Sequence, residues 1–169
     1  MPLTAANLQD VRLGYGVYLV YSVMWAVMGT AIAWLAVRRV GAFGPALVLA
    51  IGLASASALA RAIGIIRWLT ASFVLAGAHA APGADRSATE AVQLAVNAWG
   101  GASGENLDVA IFAGACTLVM AVLILRHGGL PSWLGLLAIP VGVIVMLPAL
   151  EMFGISLVSV VISTSLTHV

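Results

Sequence analysis

The chain has 169 residues, of which 63% are hydrophobic and only 8% charged. A soluble domain carries roughly a quarter charged residues, so this supply cannot cover a water-facing surface, and an integral membrane protein is predicted. The formal net charge of +1 leaves no basic patch for a nucleic acid.

Four apolar stretches approach or exceed the roughly 20 residues that a helix needs to cross a bilayer. They place the spans at about residues 13–37, 42–66, 107–125 and 133–155. Short turns join the first span to the second and the third to the fourth. The sequence therefore predicts an all-α transmembrane four-helix bundle, built as a single domain from two helical hairpins.

The second apolar stretch is longer than one crossing requires. From Gly41 to Ala81 it would extend about 60 Å as one helix at 1.5 Å per residue. We expect a long helix that bends at Gly64 and whose upper part rises beyond the membrane.

The long connection between the hairpins contains a predicted amphipathic helix at about residues 87–99. Ser87 and Glu90 have the spacing of a capping box, and Gly100–Gly101 is expected to end the helix. Such a helix lies either on the outer membrane surface or against the bundle.

Arginines in short loops set the orientation of a membrane protein. The two short loops contain Arg38, Arg39 and Arg126 and no acidic residue. This places both loops in the cytoplasm, and both termini and residues 67–104 outside it, in an inner or plasma membrane.

Alanines recur at every fourth position of the second span, at Ala46, Ala50, Ala54, Ala58 and Ala62. Small residues let helices approach closely in lipid, so this stripe is the expected contact face; alternatively, it reflects an alanine-rich genome. The predicted partners are the bilayer and, through such faces, other proteins or further copies of the chain.

Polar side chains from four helices are expected at one depth, about 25–30 Å from the inner surface when residues are counted along each helix. This charged layer comprises Tyr18, Arg61, Glu105, Asp108 and Glu151, with Arg67 further out. Glu105 and Asp108 are three residues apart, so they are expected to share one helix face.

Ionisable groups at membrane depth usually face the bundle interior or water, and pair with one another. One interpretation is a binding site in which Glu105, Asp108 or Glu151 pairs with Arg61. The remaining negative charge would then bind a cation or proton. The other is an interfacial layer whose side chains reach water or fix the helix register.

The sequence contains no HExxH, CxxC, GxSxG or phosphate-loop pattern, so it assigns no catalytic residue, no metal ligand and no cofactor. On the first helix Tyr15, Tyr18, Ser22 and Trp25 fall roughly on one face. That face either lines a lipid or quinone groove or serves as part of the interfacial aromatic belt.

Three segments resemble a known family: RAIGIIRW at 61–68, GENL at 104–107 and LPSWLG at 130–135. Over about residues 60–150 the chain is similar to uncharacterised bacterial multi-pass membrane proteins known only as a domain of unknown function. The resemblance implies no activity, but it implies that Arg61, Arg67 and Glu105 belong together.

Three functions are compatible with these features, in this order. The first is an accessory, structural or ligand- or lipid-sensing protein that packs against partners. The second is a small proton- or cation-coupled transporter that uses the charged layer. The third is a membrane enzyme acting on a lipid or quinone, with Glu105 or Asp108 as its base.

Overall fold

Within the residues that the structure describes, four helices are long and apolar enough to cross a membrane. The computed structural model describes residues 7–39, 41 and 44–155, and for Glu151 the backbone alone. Every regular element in these residues is helical, which confirms the predicted all-α fold class. The elements in chain order are α1 Leu8–Val37, α2 Pro45–Leu69, α3 Ala71–Ala80, α4 Arg86–Gly101, a π-helix Ala102–Ala113, α5 Gly114–His127, α6 Ser132–Met146 and a 3-10 helix Leu147–Phe153.

Two helical hairpins form the bundle, as the sequence predicts. α1 packs along α2, α5 packs along α6, and α2 joins the hairpins through an extensive contact with the π-helix. The last turn of α1 lies beside the loop between α5 and α6, since the backbone N–H of Gly129 donates to the carbonyl oxygen of Ala36 at 3.1 Å. The loop arginines therefore lie at the same end of the bundle.

The alanine stripe of α2 faces the interior. Ala50 and Ala54 have no exposed surface, and Ala58 is buried. Gly29 of α1 packs so closely here that a Cβ added to it would lie 2.7 Å from the Cβ of Ala54. Small side chains thus let α1 and α2 approach, which is how helices associate where lipid removes the hydrophobic driving force.

The long second span is interrupted at Thr70 and not at Gly64. Thr70 leaves the helical region, with φ −129° and ψ −81°, and its hydroxyl donates to the carbonyl oxygen of Ile66 at 2.7 Å. Gly64 stays within α2 and lies against Gly104 of the π-helix. The missing side chain of Gly64 serves close packing, and the helix continues through it to Leu69.

α4 begins at Arg86 and is capped by Asp85, where the sequence predicts Ser87 as the cap. The Asp85 carboxylate accepts hydrogen bonds from the backbone N–H of Ala88 at 3.1 Å and from the Ser87 hydroxyl at 2.7 Å. These two donors hold the pKa of the Asp85 carboxyl below its ordinary value. Glu90 instead lies 3.1 Å from the ring of His79.

The helix does not end at Gly100–Gly101 as the sequence suggests. Residues 86–127 form one helical stretch of 42 residues, because the π-helix connects α4 directly to α5. α4 therefore continues directly into the third span.

Two polar side chains of α4, Gln93 and Asn97, face the bundle, whereas Arg86 and Glu90 are exposed. Gln93 donates to the Ser72 hydroxyl at 3.3 Å and to the Asn97 side chain at 3.2 Å. On the opposite face Leu94 is 70% exposed and Trp99 60% exposed.

Candidate functional site

A buried ion pair joins α2 to the π-helix. The Nε of Arg61 lies 2.6 Å from Oδ2 of Asp108, and its Nη2 donates to Oδ1 at 3.2 Å. Arg61 is 5% exposed and Asp108 has no exposed surface. Two parallel charge-assisted hydrogen bonds of this kind are strong and fix orientation.

The hydroxyl of Ser57 completes the surroundings of the carboxylate by donating to Oδ1 of Asp108. Ser57 and Arg61 lie one turn apart on α2, so both reach the same partner. Both carboxylate oxygens are thereby engaged, as a buried charge requires if it is to be tolerated.

Aromatic rings of α1 cover the Arg61 guanidinium. Its Cζ lies 5.1 Å from the ring centre of Tyr21 and 5.0 Å from that of Trp25, within the range of cation–π attraction. The Nη1 atom of Arg61 is nevertheless buried without a hydrogen-bond partner in the described part of the chain.

The π-helix separates the two acids that the sequence places on one face. Asp108 is fully buried, whereas Glu105 is exposed. A π-helix closes its hydrogen bonds over five residues instead of four, so its wider turn rotates residues three apart away from one another. The expected common face of Glu105 and Asp108 is therefore wrong.

Arg67 lies one to two turns beyond Arg61 on the same helix. Its Nη1 donates to the carbonyl oxygen of Asn97 at 2.9 Å, and its guanidinium occupies the space that a side chain at Gly100 would need. Its Nε is buried, and no described residue accepts a hydrogen bond from it. Next to it Trp68 stacks on Tyr15 with ring centres 5.0 Å apart.

Four of the predicted site residues line one cavity of about 220 Å³, which we call the arginine cavity: Tyr18, Arg61, Arg67 and Glu105. Asp108 lies next to it through its bonds to Arg61. The backbone of Glu151 lies in the 3-10 helix, which packs against the π-helix. Its side chain is outside the described residues, so its place in the charged layer stays a prediction.

A second cavity of about 430 Å³ lies between α1, α2, α5 and α6, and we call it the apolar cavity. Its lining includes Trp25, Gly29, Met120 and Ala138. Trp25 therefore borders this cavity while its ring faces Arg61. Its indole Nε1 is buried and lacks a partner among the described residues.

Sequence reasoning did not single out Ser57 or Tyr21 as site residues and treated Trp25 chiefly as a belt residue. A signal for each was present. Ser57 is four residues before Arg61 and interrupts the small-residue face of α2 with a hydroxyl, and Tyr21 and Trp25 are four apart on α1.

Four apolar spans that bury an arginine–aspartate pair between them define a multi-pass integral membrane protein. Residues 2–167 match the family described as Domain of unknown function (DUF4386), and the chain belongs to that family. Comparison with curated proteins and with solved structures gave no match.

Proposed function

We propose that this protein is a lipid-sensing accessory component of its membrane, which binds an amphiphile in the arginine cavity and packs against partner proteins. The observation that carries this proposal is that Arg61 and Arg67 line one cavity and that each has a buried guanidinium nitrogen unpaired within the described chain. Buried N–H groups in proteins are nearly always hydrogen-bonded, so a ligand with acceptor oxygens fits this cavity.

The position of the cavity supports a sensing role. Its lining comes from α1 through Tyr15 and Tyr18, from α2 through Arg61 and Arg67, and from the π-helix through Glu105. A ligand that contacts all three elements favours one arrangement of them, and ligands shift conformational equilibria only through such differential contacts.

The exposed surface of the last span supports the accessory role. Only 11% of the apolar window of Ser132–Leu150 is buried within the chain, and Leu136, Leu137 and Ile144 are each more than half exposed. In a bilayer this face meets lipid or another protein, so it is available to a partner or to a second copy of the chain.

The positions of the carboxylates favour a transporter or an enzyme less than a lipid-binding protein. Asp108 is fully buried and bonded to Ser57 and Arg61, so it has no oxygen open to a transported cation. A proton- or cation-coupled transporter, or an enzyme acting on a lipid or quinone, would have to use Glu105 as its accessible acid or base among the cavity residues. Recognition through arginine needs no such group.

The lipid-binding part is tested by replacing Arg67 with glutamine. We expect protein extracted in native lipid discs and moved into detergent to retain a phospholipid detected by native mass spectrometry. Arg67→Gln removes charged donors and is expected to lower that retention at least about tenfold, the effect of about 1.4 kcal/mol. The matched control is Arg86→Gln, which removes an exposed arginine outside the cavity.

Equal lipid retention by wild type, Arg67→Gln and Arg86→Gln would contradict lipid binding in the cavity. The accessory role is tested in the same preparations by identifying co-purifying proteins. A chain that stays monomeric and free of partners in native discs would contradict that role.

The proposed topology has the arginine-bearing loops in the cytoplasm, supported by their common position at one end of the bundle. With the buried Cys116 changed to alanine, Arg39→Cys and His127→Cys are expected to resist an impermeant thiol reagent added to intact cells. Ala81→Cys, in the connection at the other side, is expected to react. Labelling of residue 39 or 127 from outside would overturn this topology.

A further inference from the structure

The arginine cavity carries charges of both signs at different depths. Arg61 is 5% exposed and lies at its base, with its charge matched by Asp108. Tyr18 and Glu105 are the exposed members of the lining and therefore lie at the mouth. Among the described residues neither Arg67 nor Glu105 has an ion-pair partner.

The base of the cavity suits a phosphate ester. Among the described residues that line this cavity, Arg61 through Nη1 and Arg67 through Nε have buried donors without a hydrogen-bond partner, and guanidinium groups bind phosphate oxygens well in both geometry and charge. The volume of about 220 Å³ is far above the roughly 10–15 Å³ that admits one water molecule. The cavity therefore has room for a head group and not only for a small ion.

The mouth of the cavity suits an ammonium group. The carboxylate of Glu105 attracts a cation and repels a second anion. The ring of Tyr18 adds an aromatic surface on which alkylammonium groups bind. A ligand with phosphate inside and ammonium outside matches both ends, whereas a purely anionic head group matches only the base.

Trp25 lies between Arg61 and the apolar cavity. The Trp25 ring centre lies 5.0 Å from Cζ of Arg61, and the same residue lines the apolar cavity of about 430 Å³. Its unpaired Nε1–H can donate to an ester oxygen, the group that connects a phosphate-bearing backbone to an acyl chain. The order along α1 is therefore head-group contacts, ester donor and apolar cavity.

We infer that the two cavities together bind one zwitterionic phospholipid. Its phosphate binds Arg61 and Arg67, its ammonium group lies at Glu105, and an acyl chain occupies the apolar cavity beyond Trp25. This inference rests on the proposed lipid-sensing function and assigns the class of lipid.

The head-group assignment is tested by calorimetric titration of the full chain in a maltoside detergent. The probes are dihexanoyl phosphatidylethanolamine and dihexanoyl phosphatidylglycerol. We expect the ethanolamine lipid to bind at least about tenfold more tightly, because only it carries the ammonium. Glu105→Gln is expected to bring the two affinities together, whereas Glu90→Gln, an exposed glutamate beside His79 and outside the cavity, keeps the preference.

The outcomes separate this inference from the proposed function. Equal affinity of the wild-type chain for both lipids would overturn the zwitterionic assignment while leaving lipid binding in place. Binding of neither lipid would overturn both. A preference that survives in Glu105→Gln would overturn the role of Glu105.

The acyl-chain assignment is tested with soluble phosphoethanolamine and with inorganic phosphate, which share the anionic chemistry but have no chain. Both are expected to bind at least about tenfold more weakly than the ethanolamine lipid, since they bury no apolar surface. Ala138→Phe, which fills the apolar cavity, is expected to lower the affinity for the ethanolamine lipid at least about tenfold, to the affinity for phosphoethanolamine. Val141→Phe, on the exposed face of α6, is the control.

Phosphoethanolamine affinity equal to that of the lipid would overturn the acyl-chain assignment. So would Ala138→Phe binding the lipid as tightly as Val141→Phe does. Inorganic phosphate binding as tightly as either ligand would show that the cavity recognises only a free anion, and would overturn the inference.

Discussion

Replacing Asp108 by alanine is expected to destabilise the folded protein by about 3–5 kcal/mol, the cost of removing one partner from a buried ion pair. Arg61 is 5% exposed, so its guanidinium is left buried without a charged partner once the carboxylate is gone. The rings of Tyr21 and Trp25 at 5.1 and 5.0 Å offset part of this cost, because cation–π attraction contributes about 0.5–2 kcal/mol. Unfolding in mixed micelles, followed by circular dichroism, measures the effect.

Two further variants separate the charge from the packing. Ser57→Ala removes a single hydrogen bond to Asp108 and is expected to cost about 1 kcal/mol. The double replacement Arg61→Met and Asp108→Leu removes both charges, so it should recover much of the loss seen with Asp108→Ala. An Asp108→Ala protein as stable as wild type, or a double variant less stable than the single one, would contradict the buried pair.

Replacing Gly64 by alanine is expected to destabilise the bundle by about 1–3 kcal/mol, as overpacking in a tightly packed interior does. The added Cβ would lie 2.9 Å from Cα of Gly104 and 3.0 Å from the carbonyl oxygen of Gly100. Both are backbone atoms that cannot move aside alone. α2 and the π-helix would have to separate, which also strains the bonds between Arg61 and Asp108.

The same contact predicts an asymmetry between two glycines. A Cβ at Gly104 would lie 3.4 Å from Cα of Gly64, an ordinary contact distance, so Gly104→Ala should cost less than Gly64→Ala. Gly52→Ala, in the same helix as Gly64 but with nothing within 4 Å, should be neutral or stabilise by up to about 1 kcal/mol. Thermal unfolding in detergent ranks the stability of the three variants. A Gly64→Ala protein as stable as Gly52→Ala would show that the close approach of Gly64 to Gly104 is wrong.

The class of protein and its hairpins follow from local sequence features. Apolar length decides which stretches cross a bilayer, and the spacing of Ala50, Ala54 and Ala58 decides which face of α2 is buried. Helix ends were less predictable. Gly100–Gly101 favours termination locally, yet the helix continues because its glycine surface packs against Arg67 and Gly64.

The candidate site was predictable in composition but not in pairing. Counting residues along each helix brought Arg61 near several acids, and the structure pairs it with Asp108 and leaves Glu105 at the mouth of a cavity. Residue counting assumes α-helical rotation, and a π-helix over residues 102–113 does not have it.

The amino-acid sequence by itself determined that the chain is a helical membrane protein with few charges to place, because composition and apolar length depend on no other part of the chain. Only the tertiary structure decided which carboxylate meets Arg61. It also decided that Arg61, Arg67 and Trp25 each keep a buried donor beside a cavity that no described residue pairs. The physical reason is that pairing depends on how one helix is rotated against its neighbour, here where Gly64 packs on Gly104.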